Sequence, residues 1–169
     1  MSVDHNRFMA LAIEEARSAI RAGDRPFGSV IVRDGKVVGR GHNRVASSLD
    51  PTAHAEVQAI QNAAANLRAA RLEGCTLYTS CEPCPMCCGA TFYAGIDTLV
   101  IGTRISTLVR LTKGLYSLRD YSVERLVELT GLKLRVVRDV MAEECDAIYR
   151  DWPGWATYRM GGGAHGHAD

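Results

Sequence analysis

Thirteen consecutive residues, Cys75-Thr76-Leu77-Tyr78-Thr79-Ser80-Cys81-Glu82-Pro83-Cys84-Pro85-Met86-Cys87, carry a change of secondary structure and a change of chemistry in one place. Cys75 to Ser80 is rich in β-branched and aromatic side chains and predicts a strand. Pro85 suits the first position of a helix, where its missing N–H costs nothing. That helix is predicted to run to Ala94 and to stop at Gly95. Cys84 and Cys87 are three apart, so across the first helical turn their side chains face the same way.

Outward from this junction, helices and strands alternate. Asp4 to Ala22 predicts a first helix, with Phe8, Leu11, Ala12, Ala16, Ala19 and Ile20 on one stripe and Gly23 as its stop. Ser29 to Val32, the turn pair Asp34-Gly35, and Lys36 to Gly41 read as a hairpin. Asp50 caps and Pro51 opens a predicted helix that runs to about Ala70. Thr98 to Gly102 and Leu132 to Val137 complete five strands, and Met141 to Asp151 is a last helix. Ile105 to Asp120 follows neither period cleanly. The pattern implies an α/β fold in which helices cover a sheet of about five strands. Residues 1–157 are expected to form one domain, and the Gly-rich residues 158–169 a flexible tail.

Composition bounds the function. A chain of 169 residues with net charge +1 is long enough for a real core and carries no overall charge for binding polyanions. No apolar run approaches the ~18 residues of a membrane span. Met1 to Arg7 is polar, without a secretory apolar stretch, so a cytoplasmic location is expected. In that setting six cysteines, three of them within Cys84 to Cys88, point to metal or redox chemistry rather than to disulfides. Charge is uneven: residues 104–138 carry eight basic and three acidic groups, net +5, and 139–169 two and six, net −4. The basic residues of the middle stretch are spaced singly, as on a solvated face, which makes a nucleic-acid partner the less favoured reading.

The second chemical segment is His54-Ala55-Glu56. Two thiolates and an imidazole, from Cys84, Cys87 and His54, give three zinc ligands. That is one short of a closed tetrahedral site, as in catalytic zinc centres, which keep a position for water. Zinc lowers the pKa of such a water toward ~7, and a neighbouring carboxylate, here Glu56, takes and returns its proton. A fourth ligand from Cys81 or Cys88 would close the site and make it structural. Cys88 should turn away from Cys87 on the helix, and Cys81 lies on the extended approach to it.

The H-x-E…P-C-x-x-C combination is the signature of zinc nucleobase deaminases. The chain resembles the cytidine/deoxycytidylate deaminase superfamily through Pro26-Phe27-Gly28-Ser29-Val30-Ile31-Val32, Gly41-His42-Asn43, Asp50-Pro51-Thr52-Ala53-His54-Ala55-Glu56 and Leu77 to Cys87. The last two stretches look most like bacterial guanine deaminases of the cytidine-deaminase fold. The resemblance implies a three-layer α/β/α fold with a five-stranded mixed sheet, and a homodimer with active sites near the interface. It implies one Zn2+ per chain held by His54, Cys84 and Cys87, with Glu56 as proton shuttle. It further implies Asn43, the backbone N–H of Ala55 and Phe27 as substrate-binding groups, although a core role is commoner for a Phe beside a strand.

The implied reaction is hydrolytic deamination of a purine-type nucleobase, guanine to xanthine plus ammonia. The chain departs from the pattern after Gly102: guanine deaminases carry a further acidic residue near a Phe-Asp-Asp stretch, and Leu115 to Tyr121 offers only Asp120. Met141 to Cys145 resembles the last helix of tRNA adenosine deaminases, and Asp151-Trp152 the capping segment of fungal cytosine deaminases. As plain structural readings, Cys145 belongs to the core, and Trp152 and Trp155 cover the sheet. His165 and His167 sit in the tail. A tRNA adenosine or cytosine deaminase, a zinc-stabilised binding module, and thiol redox chemistry at Cys84 and Cys87 are the alternatives.

Overall fold

The five predicted strands form one sheet in the computed structural model, which describes residues 4–116, 118 and 120–158. They are β1 (Gly28–Arg33), β2 (Lys36–His42), β3 (Cys75–Cys81), β4 (Thr98–Thr103) and β5 (Arg135–Val137). The spatial order is β2-β1-β3-β4-β5. β1 runs antiparallel to β2 and β3, whereas β3, β4 and β5 are parallel, so the sheet is mixed. Asp34 and Gly35 both adopt positive φ, 51° and 70°, as a two-residue hairpin turn requires.

The strands sort their side chains into two cores by simple alternation. Val30, Val32, Tyr78 and Val100 point to one face and pack with α1 (His5–Arg21), α5 (Ile105–Leu111) and α7 (Ala142–Arg150) through Phe8, Met9, Ile105, Leu108, Cys145 and Tyr149. Ile31, Leu77, Leu99 and Ile101 point to the other and meet α3 (Ala55–Leu67), α4 (Pro85–Tyr93) and α6 (Val123–Thr130). The result is the expected three-layer α/β/α architecture. A short helix, α2 (Val45–Ser48), and a 3-10 turn, Pro153–Ala156, complete the elements.

Several boundaries differ from the sequence reading. The helix expected from Pro51 begins at Ala55, because the Asp50 carboxylate accepts hydrogen bonds from the Thr52 N–H and hydroxyl (2.8 and 2.6 Å) and makes a turn instead of a cap. The strand expected over Leu132 to Val137 is confined to Arg135–Val137. The region without a clean period contains α5, whose seven residues are too few for a period to be read, and α6 was not foreseen. Cys145 and Trp155 are core residues, and Trp155 Nε1 donates to the Tyr149 carbonyl (2.6 Å). Tyr158, where the tail was expected to begin, is packed at 6% exposure, stacked on Tyr116; residues 159–169, with His165 and His167, lie outside the described residues. Among the described residues no helix is long and apolar enough to cross a membrane.

Two glycines of β2 let α3 seat closely on the sheet. A Cβ on Gly39 would strike the backbone of Ala59 and Ala63, and one on Gly41 the backbone of Ala55 and Ala59. The small residues Ala55, Ala59 and Ala63 are fully buried on the facing side, so helix and strand meet almost backbone to backbone. Gly41→Ala is therefore expected to push the start of α3 off the sheet. Overpacking costs about 1–3 kcal/mol, a fall in Tm of roughly 3–10 °C for a chain of this size, readable by thermal melting. An unchanged Tm would show that this contact does not fix the helix.

Candidate metal centre and active site

Two helix starts converge at the carboxyl end of the sheet. His54 is the residue before α3 and Cys84 the residue before α4, both in extended backbone, while Cys87 lies in the first turn of α4, which Pro85 opens. His54 Nδ1 lies 3.7 Å from Cys84 Sγ and 3.4 Å from Cys87 Sγ, and the two sulfurs are 3.6 Å apart. Tetrahedral zinc bonds of about 2.3 Å to sulfur and 2.0–2.1 Å to nitrogen give edges of roughly 3.8 Å for S–S and 3.5 Å for S–N. The triangle therefore fits zinc in both size and donor chemistry. Among the described residues it is the cluster of His, Cys, Asp and Glu side chains suited to a metal. Cys88, buried in the core under α4, and Cys81, buried with the α1 face, belong to packing clusters on opposite sides of the sheet.

Of the two cysteines in the trio, Cys84 alone is held as a thiolate. A hydrogen bond with Cys87 stabilises the Cys84 thiolate, and despite burial, with help from His54, its pKa is held down at about 4. The same hydrogen bond, with burial and the Glu56 charge, pushes the Cys87 thiol up. Burial opposes a charge on His54, but the hydrogen bond to Cys84 and the Glu56 and Cys84 charges together raise its pKa. Glu56, 6% exposed, is raised by burial and then by the Cys84 charge. Thr79 Oγ1 lies 3.4 Å from Glu56 Oε1.

These groups open onto a pocket of about 530 Å³ whose lining includes Phe27, Asn43, His54, Glu56 and Cys84. Asn43 is 1% exposed, and its Oδ1 accepts from the Val45 N–H (3.2 Å). Its own backbone N–H donates to the Phe27 carbonyl (3.0 Å), tying two expected binding residues together. Phe27 both lines the pocket and packs on Tyr149, with ring centroids 5.5 Å apart. Ala55 is fully buried at the head of α3 and does not line the pocket.

The sequence reading missed Arg25, Tyr116, Leu118 and Tyr158 as lining residues. Tyr116 and Leu118 lie in the stretch with no readable period, and Arg25 lies over the Tyr158 ring at 4.9 Å. Glu82 stood inside the quoted motif, and its acidic character between Cys81 and Pro83 was the available signal. Asp120 lies elsewhere, on a groove along α6 with Tyr121, Arg125 and Leu126. The basic stretch is also partly neutralised: Arg104 pairs with Glu82 and Glu124 (3.3 and 3.4 Å), and Arg138 with Glu124 (3.1 Å).

The profile of the cytidine and deoxycytidylate deaminase zinc-binding region matches residues 2–103. Guanine deaminase of Bacillus subtilis (strain 168) is 50% identical over 93 residues, 54% of this chain and 60% of that protein. The tRNA-specific adenosine deaminase of Buchnera aphidicola subsp. Schizaphis graminum (strain Sg) is 33% identical over 141 residues, 83% of this chain and 88% of that protein. A solved structure of guanine deaminase from Nitrosomonas europaea is similar with a TM-score of 0.76 at 26% identity, covering 89% of this chain and 85% of that one. The match thus spans about three-fifths of the Bacillus relative's length and most of the Buchnera relative's.

Proposed function

The chain belongs to the cytidine and deoxycytidylate deaminase zinc-binding family, and from that premise we propose that it is an aminohydrolase removing the exocyclic amino group of a purine-type nucleobase, guanine first. The observation that carries the reading is the buried Glu56 carboxylate beside the His54–Cys84–Cys87 triangle, both open to one pocket. Held by those three residues, zinc supplies a Lewis acid that makes a water acidic near neutral pH. Glu56 takes the proton of the attacking water, gives it to the ring nitrogen, and then assists departure of the amino group. Water and amino-heterocycle become oxo-heterocycle and ammonia. Asn43 holds the base edge through its amide nitrogen, and Phe27 supplies an apolar face for the ring.

Guanine stands first because identity to the Bacillus guanine deaminase is 50% over 93 residues. A second reading, adenosine in tRNA, is supported by the 33% identity to the Buchnera protein over 88% of its length. The pairing of Arg104 and Arg138 with acidic neighbours weakens the case for an RNA-facing surface. Ammonia release across guanine, cytosine, adenine, their nucleosides and an adenosine-containing tRNA stem-loop tests both. Release from guanine is expected; turnover of the stem-loop without guanine would move the substrate to RNA, and no release from any would sink the aminohydrolase reading. Asn43→Ala is expected to raise KM about tenfold through loss of a buried hydrogen-bonding group, measured by steady-state kinetics. Unchanged KM would remove Asn43 from the binding set. A homodimer belongs to the same proposal, and light scattering that reads the mass of one chain would overturn that part.

A further inference from the structure

We propose that Glu82 is a positioning residue whose carboxylate latches both ends of segment 104–123 to the loop bearing Cys84, and so sets the pocket wall formed by Tyr116 and Leu118. Glu82 is 3% exposed and both of its oxygens are engaged. Oε1 accepts from the Val123 N–H (2.8 Å), the first residue of α6. Oε2 accepts from the Ile105 N–H (2.9 Å), the first residue of α5, and from Arg104 Nε (3.3 Å). The residue before α5, Arg104, provides no side-chain cap, so the Glu82 carboxylate satisfies an amide that the local sequence leaves open.

The latch is anchored on both sides. The Glu82 N–H donates to the Thr103 carbonyl (2.8 Å), holding the end of β3 to β4. The Tyr121 hydroxyl donates to the Pro83 carbonyl (2.9 Å), a second tie between the same loop and the same segment. Between these ties the chain carries Tyr116, which packs against Phe27 and Tyr158, and Leu118, both on the pocket lining. Glu82 thus joins, two residues from a metal-site cysteine, the part of the chain that shapes the substrate side of the pocket.

The inference rests on the aminohydrolase reading for the meaning of KM, but its structural half can be read without turnover. Glu82→Gln keeps the shape and sets an NH2 group against one of the two backbone N–H donors. In the zinc-loaded full chain it is expected to raise KM by about tenfold or more with kcat changed by less than about threefold. Zinc content should equal that of the wild type, and hydrogen exchange should quicken across residues 104–123. Tyr121→Phe removes the second tie and leaves the Glu82 carboxylate in place, and is expected to raise KM by a smaller factor with exchange quickened at the same residues. If Glu82→Gln does not fold, Tyr121→Phe decides alone. KM within about twofold of wild type and unchanged exchange in these variants would overturn the proposal. A fall in kcat with KM unchanged would also overturn it, placing Glu82 in the chemistry instead. If no substrate is turned over by the wild type, the aminohydrolase reading fails, while the exchange result still decides the latch.

Discussion

Replacing Glu56 with glutamine is expected to lower kcat/KM by about 10²–10⁴-fold while zinc content stays at the wild-type value. Glutamine fills the same buried space but cannot take a proton from water, and Glu56 is not one of the three groups that form the metal triangle. The pH dependence follows from the same carboxylate. Burial, then the Cys84 charge, raises its pKa above the ordinary carboxylate value. A general base works only when ionised, so kcat/KM should fall as pH drops through this raised pKa, with the acid limb centred above the ordinary carboxylate range. The glutamine variant should lose that limb. Metal analysis beside an ammonia-release assay over pH makes the measurement. A fully active glutamine variant would remove Glu56 from the proton-transfer role.

Cys84→Ser should abolish both zinc retention and turnover. Cys84 is the thiolate of the trio, its pKa held at about 4 by the hydrogen bond with Cys87 and by His54 against burial. Serine in its place offers a neutral hydroxyl and leaves Cys87 and His54 as two ligands, too few to hold the ion. Zinc that binds the folded chain stabilises it by about 2.7 kcal/mol at a hundredfold excess over Kd, which corresponds to roughly 5–11 °C in Tm. That zinc-dependent rise should be present in the wild type, reversed by a chelator, and absent in the serine variant. Because the Cys87 thiol is held up, zinc uptake should also release a proton, visible as a buffer-dependent heat in calorimetry. A structural zinc domain would show four protein ligands and no exchangeable one after cobalt substitution. A redox centre would show a Cys84–Cys87 disulfide forming as metal leaves. Full activity of Cys84→Ser without bound metal would overturn the metal-centre assignment.

The metal triangle was legible in the sequence because each of the two segments that build it is a local motif. Cys84 and Cys87 are one helical turn apart, Pro85 marks where that turn begins, and His54 and Glu56 stand together at a second helix start. Strand positions were legible for a similar reason: β-branched runs bounded by glycine and the Asp34-Gly35 turn leave few alternatives. Segment 104–123 was not legible. Ile105, Leu108 and Val123 face two different cores from two short helices, so their apolar residues follow no single period. Asp50 misled for a physical reason as well, since the same side chain that can cap a helix can close a turn on Thr52.

Sequence alone therefore determined the α/β class, the His54, Cys84 and Cys87 metal site and the family that shares it, since each rests on motifs that are local in the chain. Tertiary structure alone decided the pocket. Arg25, Tyr116 and Tyr158 come from distant stretches, and only the sheet order β2-β1-β3-β4-β5 brings them around His54 and Cys84. The same holds for Glu82, whose partners Ile105 and Val123 are 23 and 41 residues away. A carboxylate in a motif announces its charge, but the amides it satisfies are chosen by packing, which no local pattern encodes.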